Sequence, residues 1–234
     1  MVRLRGELLV CTSTDLMSLA WRNTRNGELE GLDTDMARAF SARLGVRPVF
    51  VETTPETMLP ALEGGRCDVA MGGVGITPGR AARVAFTKPY LTGPMAAVTS
   101  RSSIRVRTWP DMDRHGVVVA VAAGTIAEEL IRDHLRIAEI AVVRAPQTQE
   151  QEILSGRADV FVTDTPYARR LRDDDSWRVM DAPRSLGETL YAYAVPRGDA
   201  AWLAEVNGFL AGVKSDGTLA RSAQRWAVTG MLTP

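Results

Sequence analysis

Short apolar runs and helix-start signals alternate along most of this chain, and they do so twice. Through the first half, β-rich runs at 8–12, 48–51 and 69–71 are separated by two helical stretches. The first helix is expected over 34–44: Asp33 can cap it, Met36, Ala39, Phe40 and Leu44 recur on one face, and Gly45 supplies the stop. The second is expected from Pro55 to Leu62, with Thr54 as its cap and Gly64 and Gly65 at its end. Through the second half, strands are expected over 117–121, 140–143 and 160–162, with helices over 125–135, over 147–154 and on to about Leu171. Alternation of this kind calls for parallel sheets with helices on both faces. Two extended stretches, 95–100 and 190–195, join one α/β set to the other, and the chain from Asp199 onward reads as helical. A chain that leaves one lobe and returns to it needs two crossings, and these stretches supply them. The expected fold is α/β and two-lobed, with 1–98 plus 194–234 in one lobe and 99–193 in the other. No internal repeat is evident in the sequence.

Charge is balanced, with 28 basic and 28 acidic residues among 234. No basic stripe stands out, which argues against nucleic acid as a partner. The longest uncharged apolar run, Val117 to Ala123, is far too short to span a membrane and reads as a buried strand. The first residues do not have the pattern of a secretory leader. Residence is therefore expected to be periplasmic or extracellular if a leader was removed, and otherwise cytoplasmic. Cys11 ends the first strand and Cys67 precedes the third. If those strands run parallel and adjacent, Cys11 lies level with Met71. Cys67 is then about 13 Å away, at roughly 3.3 Å per residue, too far for a disulfide. Both read as free, mostly buried thiols. The only histidines, His115 and His134, do not suggest a metal cluster. Neither a metal nor a cofactor is expected, and Met58, Met71 and Met95 read as core.

Five stretches, in order, resemble the family 3, amino-acid-type bacterial solute-binding proteins. They are EGLDTDMARAFSARLG from Glu30, GGRCDVAMGGVGITPGRAARVAFTKPY from Gly64, AAGTIAEEL from Ala122, LSGRADVFVTDTPYA from Leu154 and SDGTLARSAQRW from Ser215. Within that family, CTSTDLMSLAWR from Cys11 and TTPETMLPALEGGRCD from Thr53 are most similar to the cyclohexadienyl dehydratase branch, whose members aromatise prephenate or arogenate. The resemblance implies the type II periplasmic-binding fold: two lobes, each a mostly parallel sheet flanked by helices, joined by a two-strand hinge.

Arg80 is the strongest candidate for a ligand contact. Thr77 can cap a helix, Pro78 fits its first position, and Arg80 falls in the first turn. Free N–H groups, a positive dipole end and a guanidinium would meet there, a combination suited to a carboxylate. Asp164 follows the strand at 160–162, at the strand end where ligands bind in open α/β sheets, and also fits a helix cap. By resemblance Asp164 takes a ligand's amino group. The turn at Gly124 and Thr125 supplies N–H groups to its carboxylate, although Thr125 and Glu128 also fit a capping box. Asp15 falls in the first ligand loop by resemblance, and Gly73 belongs to the expected site. Departures accompany these matches. Leu16 and Pro55 stand where amino-acid binders usually carry rings, while Gly75 and Ile126 stand where hydroxyl residues are usual. Tyr167 occupies the place of the dehydratase branch's glutamate acid, and Pro94 that of its lysine. A phenol of ordinary pKa, near ~10, is a weak proton donor at neutral pH.

Two functions follow. One is a monomeric solute-binding protein that closes on a small carboxylate, an amino acid or related compound, with an ABC-type permease or a sensor as its partner. The other is a carbon–oxygen lyase of the cyclohexadienyl dehydratase kind on the same fold, with Tyr167 as its only candidate acid and no other catalytic residue.

Overall fold

The computed structural model describes residues 2–16 and 18–234. Met17, inside CTSTDLMSLAWR, lies outside the described residues. The chain divides into two compact units, 1–92 with 190–234, and 93–189.

In the first unit the strands Arg47–Thr53, Glu7–Ser13 and Val69–Gly75 lie side by side and parallel, with Glu7–Ser13 central. Thr189–Val195 continues the sheet antiparallel beside Val69–Gly75. The helix Leu32–Leu44 covers one face through Leu32, Met36, Ala37, Phe40 and Leu44, and Gly45 ends it in the left-handed conformation. Phe40 packs against Phe209 and Trp202 of the helix Ala200–Ser215, at 4.6 and 5.5 Å between ring centroids. Burial of a side chain this size contributes about 1.5–3 kcal/mol. The helix Pro55–Glu63 starts as expected, with Thr54 and Thr57 in a reciprocal cap. Asp33 is not the N-cap of Leu32–Leu44; Gly31 is. Gly31 has φ 129°, and a Cβ there would lie 2.3 Å from the Leu19 carbonyl oxygen. That close approach starts the helix early, because the carbonyls of Ser18 and Leu19 accept the N–H groups of Leu32 and Asp33. Asp33 is thereby carried into the core.

The second unit repeats the plan. Glu139–Val143, Val118–Ala122 and Val160–Asp164 are parallel; Met95–Ser100 runs antiparallel beside Val160–Asp164, and Trp177–Asp181 antiparallel beside Met95–Ser100. The helices Ile126–His134, Gln149–Leu154 and Thr165–Arg172 connect them. Its core holds Val98, Ala120, Ile153, Phe161, Leu171 and Trp177. The strand Trp177–Asp181 and the small antiparallel sheet of Asp15–Leu16, Ala20–Arg22 and Leu29–Glu30 were not expected. Neither stretch has clear apolar alternation.

Three further expectations change. The stretches 95–100 and 190–195 are strands paired within one sheet each, so the divisions fall at 92/93 and 189/190 rather than at 98/99 and 193/194. A short repeat is also present: GRCDV at 65–69 and GRADV at 156–160 open the third parallel strand of each unit. In both, the aspartate bonds twice to the neighbouring strand. Asp68 N–H donates to Leu9 O and its Oδ2 accepts from Leu9 N–H at 2.8 Å. Asp159 does the same with Val118, at 2.9 Å.

The third change concerns the cysteines. Cys11 and Cys67 form a disulfide, with Cα atoms 5.6 Å apart. Cys11 lies level with Ala70, and the chain turns at Gly65 instead of extending the strand back to residue 67. The Asp68 bonds to Leu9 then draw Cys67 alongside the strand that carries Cys11.

Candidate functional site

On the first unit the strand Val69–Gly75 delivers most of the expected site residues. Its pairing with Thr189–Val195 slips: Ala70 faces Ala194, yet Val74 faces Ala192. Four steps on one strand match two on the other, which is a β-bulge. Gly73 sits inside it with φ +61°. A Cβ at Gly73 would lie 2.7 Å from Leu19 Cδ1 and 3.9 Å from Leu16 Cδ1, so the loop carrying Asp15 and Leu16 runs beside the bulge. Asp15 is exposed and pairs with Trp21 in the small sheet. Gly75 ends the strand, buried.

Thr77 caps the next helix as expected, its hydroxyl accepting the Arg80 N–H at 3.1 Å. The helix is only Pro78–Ala81. So short an element has little macrodipole, and the Arg80 N–H is already taken. The guanidinium therefore carries the positive charge expected here. Arg80 is 8% exposed and donates to the Gly75 carbonyl at 3.3 Å, which fixes its reach from the strand end. Leu16, Gly73, Gly75 and Arg80 thus belong to one neighbourhood.

On the second unit Thr125 caps Ile126–His134, and its hydroxyl also donates to Ala122 O at 2.7 Å. The Glu128 carboxylate takes the N–H of Gly124, not of Thr125, at 2.8 Å, and its other oxygen pairs with Arg132. The expected capping box is thus shifted one residue back. Ile126 opens the helix without a hydroxyl.

Asp164 caps Thr165–Arg172, with Oδ1 accepting the Tyr167 N–H at 2.9 Å. Both roles foreseen for Asp164 remain compatible, since this bond uses one oxygen. Burial pushes its carboxyl above the usual range, and the Tyr167 N–H opposes that only in part. Tyr167 turns its hydroxyl to Glu150, at 2.7 and 2.8 Å from the two oxygens. The Arg170 guanidinium lies 4.3 Å from the ring centroid. Burial first, and then the Glu150 charge, push the phenol well above its ordinary value. Tyr167 is therefore a poorer acid than its residue type alone suggests. Glu150 was not anticipated, because it lies 17 residues from Tyr167 and only packing joins them.

Among the described residues, no three His, Cys, Asp or Glu side chains are grouped to hold a metal.

Comparison with known proteins shows the family and the fold. The chain is 31% identical over 225 residues to cyclohexadienyl dehydratase of Pseudomonas aeruginosa, covering 94% of this chain and 82% of that protein. It is 30% identical to the amino-acid-binding protein AabA of Dichelobacter nodosus, covering 91% and 84%. Among solved structures it is similar to the ancestral amino acid-binding protein AncCDT-1, a precursor of cyclohexadienyl dehydratase. That match has a TM-score of 0.86 and 32% identity, over 96% of this chain and 97% of that one. The fold is the type II periplasmic-binding architecture. The family of bacterial extracellular solute-binding proteins, family 3, matches residues 8–229, and this chain belongs to it.

Proposed function

We propose that this protein binds an amino acid or a closely related carboxylate and presents it to an ABC-type permease or a sensor. The observation that carries this reading is Arg80, a nearly buried guanidinium fixed at the end of the strand Val69–Gly75. Arg80 is the proposed carboxylate contact, and the carboxylate of Asp164, which caps Thr165–Arg172, is proposed to take an amino group. The amino-acid-binding relatives support the ligand class. The Cys11–Cys67 disulfide supports residence in an oxidising compartment, periplasmic or extracellular, since disulfides persist there. A thermal-shift screen of the standard amino acids and of shikimate-pathway acids tests the reading. Tm should rise by several degrees with at least one amino acid. No shift with any of them would sink it.

The identity to a dehydratase keeps a lyase as the second reading. That chemistry needs a proton donor at the leaving hydroxyl. Tyr167 stands at the acid's place, but its hydroxyl is committed to Glu150 and its pKa is raised. Incubation with prephenate should therefore give no phenylpyruvate above the uncatalysed background. Enzyme-dependent phenylpyruvate, slowed by Tyr167→Phe, would establish the lyase instead.

A further inference from the structure

One carboxylate in the first unit lies in the core without a cation. Asp33 is 1% exposed, and fully buried carboxylates are rare unless paired. Its Oδ2 accepts the Tyr90 hydroxyl at 2.8 Å and the Gly73 N–H at 2.9 Å. Its Oδ1 has no partner, and neither has the buried Tyr193 hydroxyl, although the Tyr193 ring stacks on Tyr90 at 4.4 Å. A buried polar atom left unpaired costs stability, so such a group in a native core calls for an explanation.

The Gly73 bond supplies one. At the bulge the Gly73 amide leaves the sheet ladder, and the Asp33 carboxylate replaces the lost acceptor. The bulge in turn sets the direction in which the strand delivers Gly75 and Arg80. A bond to a charged acceptor is roughly twice as strong as one to a neutral acceptor, so the hold on Gly73 depends on whether Asp33 is ionised.

We propose that Asp33 is a positioning residue for the ligand strand and acts as its proton switch. Ionised, it clamps the Gly73 amide and the bulge that aims Arg80. Protonated, it slackens that clamp and turns a new O–H toward the Tyr193 oxygen. The effect on ligand affinity rests on Arg80 being the carboxylate anchor; the effect on Gly73 does not.

Burial pushes Asp33 from 3.8 up to about 6, opposed in turn by the bonds from Tyr90 and Gly73. Burial, and then the Asp33 charge, raise Tyr90 and Tyr193, so both stay neutral while Asp33 titrates. Other charges on the elements packed against the helix Leu32–Leu44 are engaged elsewhere. Glu7 pairs with Arg47, and Arg22 with Glu52. Glu30 accepts from Asn23 and Asn26. Arg221 bonds to Thr218, and Arg225 lies over Trp226. On the helix itself, Asp35 accepts from Ser222 and Trp226, Arg38 donates to Leu29 O, and Arg43 donates to Gly208 O.

The test needs no known ligand. In a nitrogen-15 pH titration of the free protein, the Gly73 amide should shift with a midpoint near pH 6. The Arg80 side-chain Nε resonance should follow it. In Asp33→Asn neither should titrate there. Tyr90→Phe removes one bond that favours the charged form, so it should move the midpoint upward. Because the folded value stands above the unfolded one, stability owed to protonation of Asp33 is complete below about pH 4 and is lost as pH rises through about 6. The Tm of Asp33→Asn should accordingly gain on wild type across that interval. A Gly73 amide that is flat from pH 4.5 to 7.5, or that titrates unchanged in Asp33→Asn, would overturn the proposal.

The functional arm uses an equimolar mixture of the twenty standard L-amino acids. Its thermal shift on wild type should shrink several-fold from pH 7.5 to pH 5, and in Asp33→Asn it should be small and independent of pH. A shift that falls equally in both proteins would place the pH sensitivity elsewhere and overturn the switch. If wild type shows no shift at either pH, the binding reading fails, and the Gly73 titration still decides the role of Asp33.

Discussion

Reduction of the Cys11–Cys67 disulfide should lower the stability of this protein by about 4 kcal/mol. The two cysteines are 56 residues apart, and closing a loop of that length removes roughly 14 cal/mol/K of unfolded-chain entropy. For a chain of this size each kcal/mol moves Tm by about 2–4 °C, so reductant should lower it by roughly 8–16 °C. Cys11→Ala/Cys67→Ala should match reduced wild type more closely than a serine pair. Both sulfurs lie in an apolar cluster with Met58, Leu62 and Val74, where a serine hydroxyl would have to find a partner. Thermal melts with and without reductant, together with alkylation under denaturing conditions without reductant, check this. Two alkylated thiols in the untreated protein, or a Tm indifferent to reductant, would restore the free-thiol reading and remove the support for an oxidising compartment.

Arg80→Ala should weaken binding of the best-stabilising amino acid by about 2–5 kcal/mol, some tens- to thousands-fold in Kd. Its guanidinium is nearly buried and braced on Gly75 O, so truncation removes a desolvated, positioned charge. Arg80→Lys should recover only part of the loss, because an ammonium lacks the planar two-pronged donor set. The variant should keep its fold, since the cap bond of this helix runs from the Arg80 backbone to Thr77 and survives truncation of the side chain. Asp164→Asn should weaken amino acids while sparing carboxylates that lack an amino group. Its backbone bond to the Tyr167 N–H can still be accepted by the amide oxygen. Titration calorimetry on the three variants decides both points. A normally folded Arg80→Ala protein that binds as tightly as wild type would mean that the ligand is anchored elsewhere.

Short-range signals along the chain encode much of this architecture. Apolar periodicity and turn residues placed the six parallel strands, and hydroxyl residues three positions from an N–H placed the caps at Thr54, Thr77 and Thr125. Asp164 was found in the same way, at a strand end and at a helix start together. Family resemblance then gave those local features a functional reading. Other features depend on register and on burial, which no local pattern carries. The disulfide joins residues 56 apart, and an error of one residue in pairing together with a straight extrapolation of the strand was enough to hide it. Asp33 reads as a helix cap until Gly31 packs against Leu19 and pulls the helix start back, leaving the carboxylate to meet Tyr90, 57 residues on. Tyr167 reads as a weak but available acid until packing sets it against Glu150. A local pattern reports which bonds a residue can make with its sequence neighbours. Which distant group removes it from water, and so sets its charge and its partners, follows only from how the strands and helices pack.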